Sequence, residues 1–321
     1  MRQARNFRAA AVLAVAVLGL IACQHKEPLT PSQMKEAAIA CQSKRDFACA
    51  EQNWQGYVAA RPTDAQAIAN LGVAMNERDE HEQAIVQFKK AIDLGEGTYD
   101  LFAYYADSLT KLGRTNDAID WYYKALAVVP QLVDVRGNLA KLLVQQKRPY
   151  EALSLLATFD RQLEAQGHGQ YFEGQRIAIE AGLHDTGAAT TPETSHLRLP
   201  KIGDSFFAPV TLGKAPVNAF LVDTGASDTT MDDQFLANSE AKFEVTRRYV
   251  EMRTADGRSV AGRLVSIDHL KVGAFILDHI PAVICTGCVS LLGQGTLTNF
   301  DLNSSKVQGV EFMTLSPRTH Q

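Results

Sequence analysis

In this 321-residue chain the residues whose types and spacing could do chemistry are Ala219-Phe220-Leu221-Val222-Asp223-Thr224-Gly225-Ala226-Ser227. An apolar run delivers one carboxylate, and small residues follow at once. Two carboxylates held in contact cannot both ionise, so they share one proton. One of them then acts as base toward water while the other is an acid toward a carbonyl, and the pair titrates as a unit. Such a pair hydrolyses an amide without a metal or a nucleophilic side chain; one carboxylate alone cannot fill both roles at once. Around Asp223, Gly225 lacks a Cβ and lets a substrate backbone approach. Phe220, Leu221 and Val222 anchor the loop to a strand, and Thr224, Ala226 and Ser227 keep it small, with hydroxyls at Thr224 and Ser227. Other candidates carry less. His269 and His279 have no Ser or Cys nucleophile in a recognisable motif and read as surface or packing residues. Asp228, Asp232 and Asp233 read as solvated loop and helix-start charges, and Asp256 reads as a turn former. An Asp-Thr-Gly alone is also a common Asx-turn, so the surroundings must decide.

Those surroundings are β-rich. After Leu197 the spacing predicts extended runs over 206–212, 216–222, 243–254, 258–272, 274–284 and 306–315, while Leu291-Leu292-Gly293 leads into a short helical run. The runs on either side of Asp256-Gly257 are joined by a strong hairpin signal. Helix is expected only over 232–238 and 295–299. This predicts a small, mostly antiparallel all-β domain over 198–317. The loop Asp223-Thr224-Gly225-Ala226-Ser227 resembles the active-site loop of retropepsin-like aspartic proteases. Leu291-Leu292-Gly293 resembles that family's apolar-apolar-Gly element, which packs beside the loop and leads into a helix. Thr254, Ala255, Asp256 and Gly257 fall where the family carries its flap. The resemblance runs from Lys201 to Leu315 and implies an aspartic peptidase that needs no cofactor or metal. It implies that Asp223 is catalytic, that the Thr224 hydroxyl bonds across a dimer, and that Ser227 supports the carboxylate or the substrate main chain. Pepsin-like enzymes carry two such loops in one chain; here the other Asp-Thr-Gly, Asp185-Thr186-Gly187, lies in a polar segment with no β-domain around it, so the resemblance implies a homodimer with Asp223 contributed by each subunit. Two features depart from the family: the flap turn has Gly257 as its one glycine, and Cys285-Thr286-Gly287-Cys288 precedes the Leu-Leu-Gly element.

The preceding residues repeat. Ala50, Ala84, Ala118 and Ala152 lie 34 residues apart, and Trp54, Phe88, Tyr122 and Leu156 follow each of them by four. Ala38, Gly72, Ala106 and Ala140 hold small residues at the same spacing. Pro62 and Pro130 close two units. This 34-residue period resembles the tetratricopeptide repeat, in which small residues let two helices approach and a large one fills the gap between units. The array is assigned to 34–182, about four repeats with a capping helix near Tyr171–Gly182. The resemblance implies a surface for peptides, for proteins or for self-association. Tyr104, Tyr105, Trp121, Tyr122 and Tyr123 are read as core or ordinary surface before a groove lining. The polar segment 183–197 reads as a linker.

The N-terminus carries Arg2, Arg5 and Arg8 ahead of the apolar run 9–22, too short to span a bilayer comfortably. Leu20-Ile21-Ala22-Cys23 resembles a bacterial lipobox. That implies a signal peptide over 1–22, lipidation of Cys23 and a tether over 23–33. An ordinary secretion signal or an uncleaved anchor would show the same pattern. By resemblance to Gram-negative lipoproteins, Gln24 after the cysteine implies the outer membrane, facing the periplasm. The chain has 46% hydrophobic and 21% charged residues and a net charge of −4, with no basic block past the N-terminus, which argues against nucleic-acid binding. In an oxidising compartment Cys41–Cys49 and Cys285–Cys288 are possible disulfides; neither pair has the neighbours a zinc site requires. The sequence therefore predicts an all-α tetratricopeptide-repeat solenoid, followed by an all-β retropepsin-like domain. The expected function is a dimeric envelope peptidase whose repeats recruit a protein substrate or partner. The alternative is a non-catalytic envelope scaffold.

Overall fold

The computed structural model describes residues 28–185, 195–253, 257 and 259–318. The signal segment and Cys23 therefore lie outside the described residues. So do Thr254, Ala255 and Asp256 of the flap turn. No helix among the described residues is long and apolar enough to cross a membrane.

Nine helices come first among those residues. They are α1 (Pro31–Ser43), α2 (Phe47–Ala60), α3 (Ala65–Asn76), α4 (His81–Asp93), α5 (Tyr99–Lys111), α6 (Thr115–Val128), α7 (Val133–Gln145), α8 (Pro149–Ala165) and α9 (Glu173–Asp185). The first eight pair as antiparallel hairpins. Residues at the repeat positions form the core: Ala38, Ala50, Ala84, Ala106, Ala118, Ala140 and Ala152 are fully buried, as are Trp54, Phe88 and Leu156. Each such aromatic or leucine contributes about 1.5–3 kcal/mol on leaving water. Gly72 is small for a reason of space: a Cβ there would stand 2.7 Å from the buried Phe88 ring. Tyr105, Tyr122 and Tyr123 are core residues, while Tyr104 and Trp121 are half-buried against it.

A second 34-residue period lies in the turns and has little compositional signature. Arg45, Asp79, Gly113 and Lys147 all have positive φ, at 59°, 61°, 73° and 56°. Each ends the first helix of a hairpin. In every case the next N–H reaches back to the helix: Asp46 to Cys41, Glu80 to Met75, Arg114 to Leu109 and Arg148 to Leu143, at 2.8–2.9 Å. This is a Schellman closure repeated four times, and glycine occupies the left-handed position in one of them.

The β-domain follows as β1 (Leu197–Ile202), β2 (Ser205–Thr211), β3 (Asn218–Val222), β4 (Thr229–Asp232), α10 (Asp233–Ser239), β5 (Phe243–Arg253), β6 (Ser259–Ile267), β7 (Leu270–Val272), β8 (Phe275–Leu277), β9 (Ile280–Cys285), β10 (Leu291–Leu292), α11 (Gln294–Leu297), β11 (Phe300–Val307) and β12 (Val310–Pro317). The strand order is β11-β12-β1-β2-β3-β10-β4-β9-β6-β5. Most pairings are antiparallel; β10 with β3 and β4 with β9 are parallel. Three expectations change. The single closing run is a hairpin, β11 and β12, turning at Gln308-Gly309, where both residues take positive φ. The run 258–272 breaks at His269, and the run 274–284 breaks at His279, both in the left-handed region. The two breaks hold each other: His269 N donates to Asp278 Oδ1 and His279 N to Asp268 Oδ1, each at 2.8 Å. β1, which the sequence reading left unassigned, pairs with both β12 and β2.

The two parts share a packed face. Helix α9 runs to Asp185, inside the segment read as linker, and β1 begins at Leu197. Helix α8 is buried along most of its length, since one side meets α7 and the other meets β1, β2 and β3. Ser154 Oγ donates to Phe207 O at 2.6 Å, and Arg161 Nη1 to Ala219 O at 2.5 Å. Asp160 is buried and accepts from the N–H groups of Tyr171 and Phe172 and from Arg176 Nε, at 2.9–3.0 Å. Arg176 Nη1 continues to Val217 O at 3.0 Å. Burial pushes the Arg136 guanidinium, stacked 4.6 Å over Phe159, down to about 10.

Prediction: Lys147→Gly relieves a left-handed residue at a helix C-terminus that glycine adopts without cost. It should stabilise the protein by about 0.5–1 kcal/mol and raise the thermal midpoint.

Candidate active site

The candidate loop leaves β3 at Asp223 and re-enters the sheet at β4. Between these two strands lies β10, two residues long, with Leu291 and Leu292 facing Leu221 and Val222, and Leu291 also facing Thr230. The main chain of the acid is bonded to this strand: Asp223 N donates to Leu292 O at 3.0 Å, and Leu221 N to Ser290 O at 3.2 Å. Apolar residues anchor both sides, since Phe220 and Leu292 are fully buried.

The Asp223 carboxylate is half-buried and turned back onto its own loop. Oδ1 accepts from Gly225 N at 2.9 Å and from Ala226 N at 3.2 Å. Two N–H groups on one oxygen fix the orientation of the carboxylate. Thr224 and Gly225 are exposed beside it. The geometry therefore leaves the acid pre-oriented at an open surface.

Gly293 sits beneath the loop. Its φ of −95° is ordinary, so space rather than backbone freedom requires glycine. A Cβ would fall 2.2 Å from Asp228 O and 2.9 Å from Ala226 O. Around it Gln294 N donates to Ala226 O at 2.9 Å and Gly295 N to Ser227 O at 3.1 Å. Thr229 Oγ1 accepts from Gly293 N at 3.2 Å and meets Thr296 Oγ1 at 2.6 Å, both threonines being fully buried.

Asp223, Gly225, Ala226, Leu291, Leu292 and Gly293 are thus brought together, with Thr224 alongside. Ser227 takes a different partner from the one expected. Its hydroxyl donates to Asp228 Oδ2 at 3.1 Å, because the loop has already turned toward β4. Gly257 is exposed, with φ 83°, between β5 and β6. Strand β5 is an edge strand, exposed along nearly its whole length. His269 and His279 are exposed and pair through Nδ1 with Asp278 and Asp268 at 2.9 and 3.0 Å. Asp232 caps α10 and also accepts from Gly287 N at 2.7 Å. Cys285 is bonded to Cys288, and Cys41 to Cys49. The first bridge ties the end of β9 to the segment leading into β10. Among the described residues no group of three or more His, Cys, Asp or Glu side chains is placed to hold a metal.

Sequence reasoning missed three contributors: Thr229, Thr296 and Gln294. Gln294 Nε2 donates to Thr224 O at 2.7 Å. Their polar partners are 67–70 residues away, so no local pattern marks them.

Residues 208–299 match a family model described as "gag-polyprotein putative aspartyl protease". The helical part is similar to solved tetratricopeptide structures. One is YrrB, described as a TPR protein with an unusual peptide-binding site (20% identity over 41% of this chain and 69% of that one, TM-score 0.38). Another is MamA (15% identity over 47% and 84%, TM-score 0.41). No curated protein sequence matches the chain significantly. The class is a tetratricopeptide-type helical array joined to a retropepsin-like β-domain. Within the matched residues Asp-Thr-Gly occurs once, at Asp223-Thr224-Gly225.

Prediction: Gly293→Ala places a methyl against two carbonyl oxygens that the ladder holds in place. It should lower stability by about 1–3 kcal/mol in urea denaturation and displace the Asp223 loop.

Proposed function

We propose that this protein is an aspartic endopeptidase that acts as a homodimer, with Asp223 contributed by each subunit. The observation that carries the reading is the Asp223 carboxylate, held by two loop N–H groups while its main chain is bonded to β10. The match of residues 208–299 to the aspartyl protease model supports it. A two-fold arrangement sets the same loop on the axis from both sides, so two like acids meet and retain one proton. The ionised carboxylate takes a proton from water as the water oxygen bonds to the scissile carbonyl carbon. The protonated carboxyl passes its proton to the carbonyl oxygen. The resulting gem-diol collapses as one hydroxyl returns its proton to the ionised carboxylate, the C–N bond breaks, and the nitrogen leaves with the proton held by the other carboxyl, which restores the singly protonated pair. Gly225 leaves room for the substrate main chain, and the β5–β6 hairpin offers an edge onto which an extended peptide adds as a strand.

The array recruits the substrate or a protein partner. One face offers a cavity of about 520 Å³ lined by Asn76, Asp107, Lys111, Asn138 and Lys141, polar groups suited to a peptide main chain. The lipobox-like Leu20-Ile21-Ala22-Cys23 supports anchoring at Cys23 on the periplasmic side, with Gln24 favouring the outer membrane. Confinement to a surface raises the effective concentration of subunits and favours pairing.

Prediction: Asp223→Asn keeps the shape and removes the shared proton. In an envelope extract incubated from acidic to neutral pH, new peptide termini should appear with wild type and fall about 10³-fold with the variant. Equal cleavage by both proteins would leave a scaffold built from the array and a peptide-binding β-domain. A second outcome concerns assembly: specific activity of the soluble protein should rise with enzyme concentration and plateau once the dimer is saturated.

A further inference from the structure

We propose that Gln294 is a positioning residue for Asp223, holding the Thr224–Gly225 peptide so that its N–H stays aimed at Asp223 Oδ1. The inference rests on the peptidase reading and adds a specific component to it. The two ends of one peptide unit are engaged. Its carbonyl accepts from Gln294 Nε2 at 2.7 Å, and its N–H donates to Asp223 Oδ1 at 2.9 Å. A trans peptide is planar, with C=O and N–H pointing in opposite directions. Fixing the oxygen therefore fixes the direction of the N–H. The bond onto the carbonyl also polarises the amide and strengthens its other end as a donor.

Gln294 is itself held in place. It is the first residue of α11, and its own N–H donates to Ala226 O at 2.9 Å. One residue therefore clasps the loop twice, on either side of Gly225. Its side chain is exposed, and the core beneath is supplied by Leu292, Thr296 and Leu297. Removing the amide should leave the fold intact and act on the carboxylate. An N–H bonded to a carboxylate favours the ionised form. With that donor less well aimed, Asp223 holds its proton to higher pH. The ionised member of the pair is then lost earlier on acidification, and the acid limb of the activity profile moves upward.

The test compares wild type with Gln294→Met, which keeps length and removes the donor, and with Gln294→Ala as a second variant. All are full-length dimers with matching thermal melts. With a fluorogenic peptide carrying a site mapped in the Asp223→Asn experiment, the acid limb of kcat/KM should move upward in both variants. At the optimum, kcat/KM should fall by about threefold to tenfold, mostly in kcat. An acid limb that stays in place in both variants overturns the proposal. The carbon-13 titration of the Asp223 carboxyl is followed in the same proteins and needs no substrate. Coincident titration curves overturn the role of Gln294 whether or not the protein is a peptidase. A wild type without Asp223-dependent cleavage overturns the peptidase reading by itself.

Discussion

The hydrogen bond from Asp223 N to Leu292 O is the constraint on which the candidate site depends. It fixes an acid at the end of β3 to a strand that arrives about 70 residues later. Strand β10 is two residues long and would not persist alone. It exists because β3 holds one side of it in parallel and β4 the other side in antiparallel. Once it is in place, the chain between β3 and β4 must loop around Gly293, and that loop is the one carrying the carboxylate. Packing sets the path: carbonyls of Ala226 and Asp228 lie where a side chain on residue 293 would be. The loop's own N–H groups then converge on Asp223 Oδ1, so main-chain donors hold the carboxylate in one orientation.

A second constraint joins the array to this site. Helix α8 has neighbours on both sides, so it is at once the last long helix of the repeats and a floor for β1, β2 and β3. Tyr150 and Leu153 pack with the β-domain core, while Val310 and Phe312 of β12 pack with the helical core. The buried Asp160–Arg176 pair at 3.0 Å and the Arg176 bond to Val217 O lie across the same seam. Buried charges are tolerated only when paired, and loss of one leaves the other without water or counter-charge. The array and the strands that lead to Asp223 are therefore packed against each other through α8. Arg161 reaches Ala219 O on β3 itself, four residues before the acid.

Legibility in the sequence followed range. The repeat phase was plain at Ala50, Ala84, Ala118 and Ala152, because close helix packing demands small residues at a fixed spacing. The Schellman turns at Arg45, Asp79 and Lys147 were hidden, because non-glycine residues accept the left-handed conformation when the helix carbonyls reward it. The acid loop and Leu291-Leu292-Gly293 were readable as composition. The strand breaks at His269 and His279 were not, since each is fixed by an aspartate from the opposite turn. Strands β1 and β11 were missed because Pro200 and the run Asn303-Ser304-Ser305 give no alternation; both strands are made by pairing with β12.

The sequence by itself determined the two-part architecture, the helical period and the composition of the candidate loop at Asp223, all of which are written in residue size and polarity over short spans. Only the tertiary structure decided that β10 lies between β3 and β4, that Ser227 turns to Asp228, that Gln294 bonds Thr224 O, and that α8 belongs to both cores. Those contacts join residues far apart in the chain, and a backbone donor or acceptor looks the same in every residue type until the fold supplies its partner.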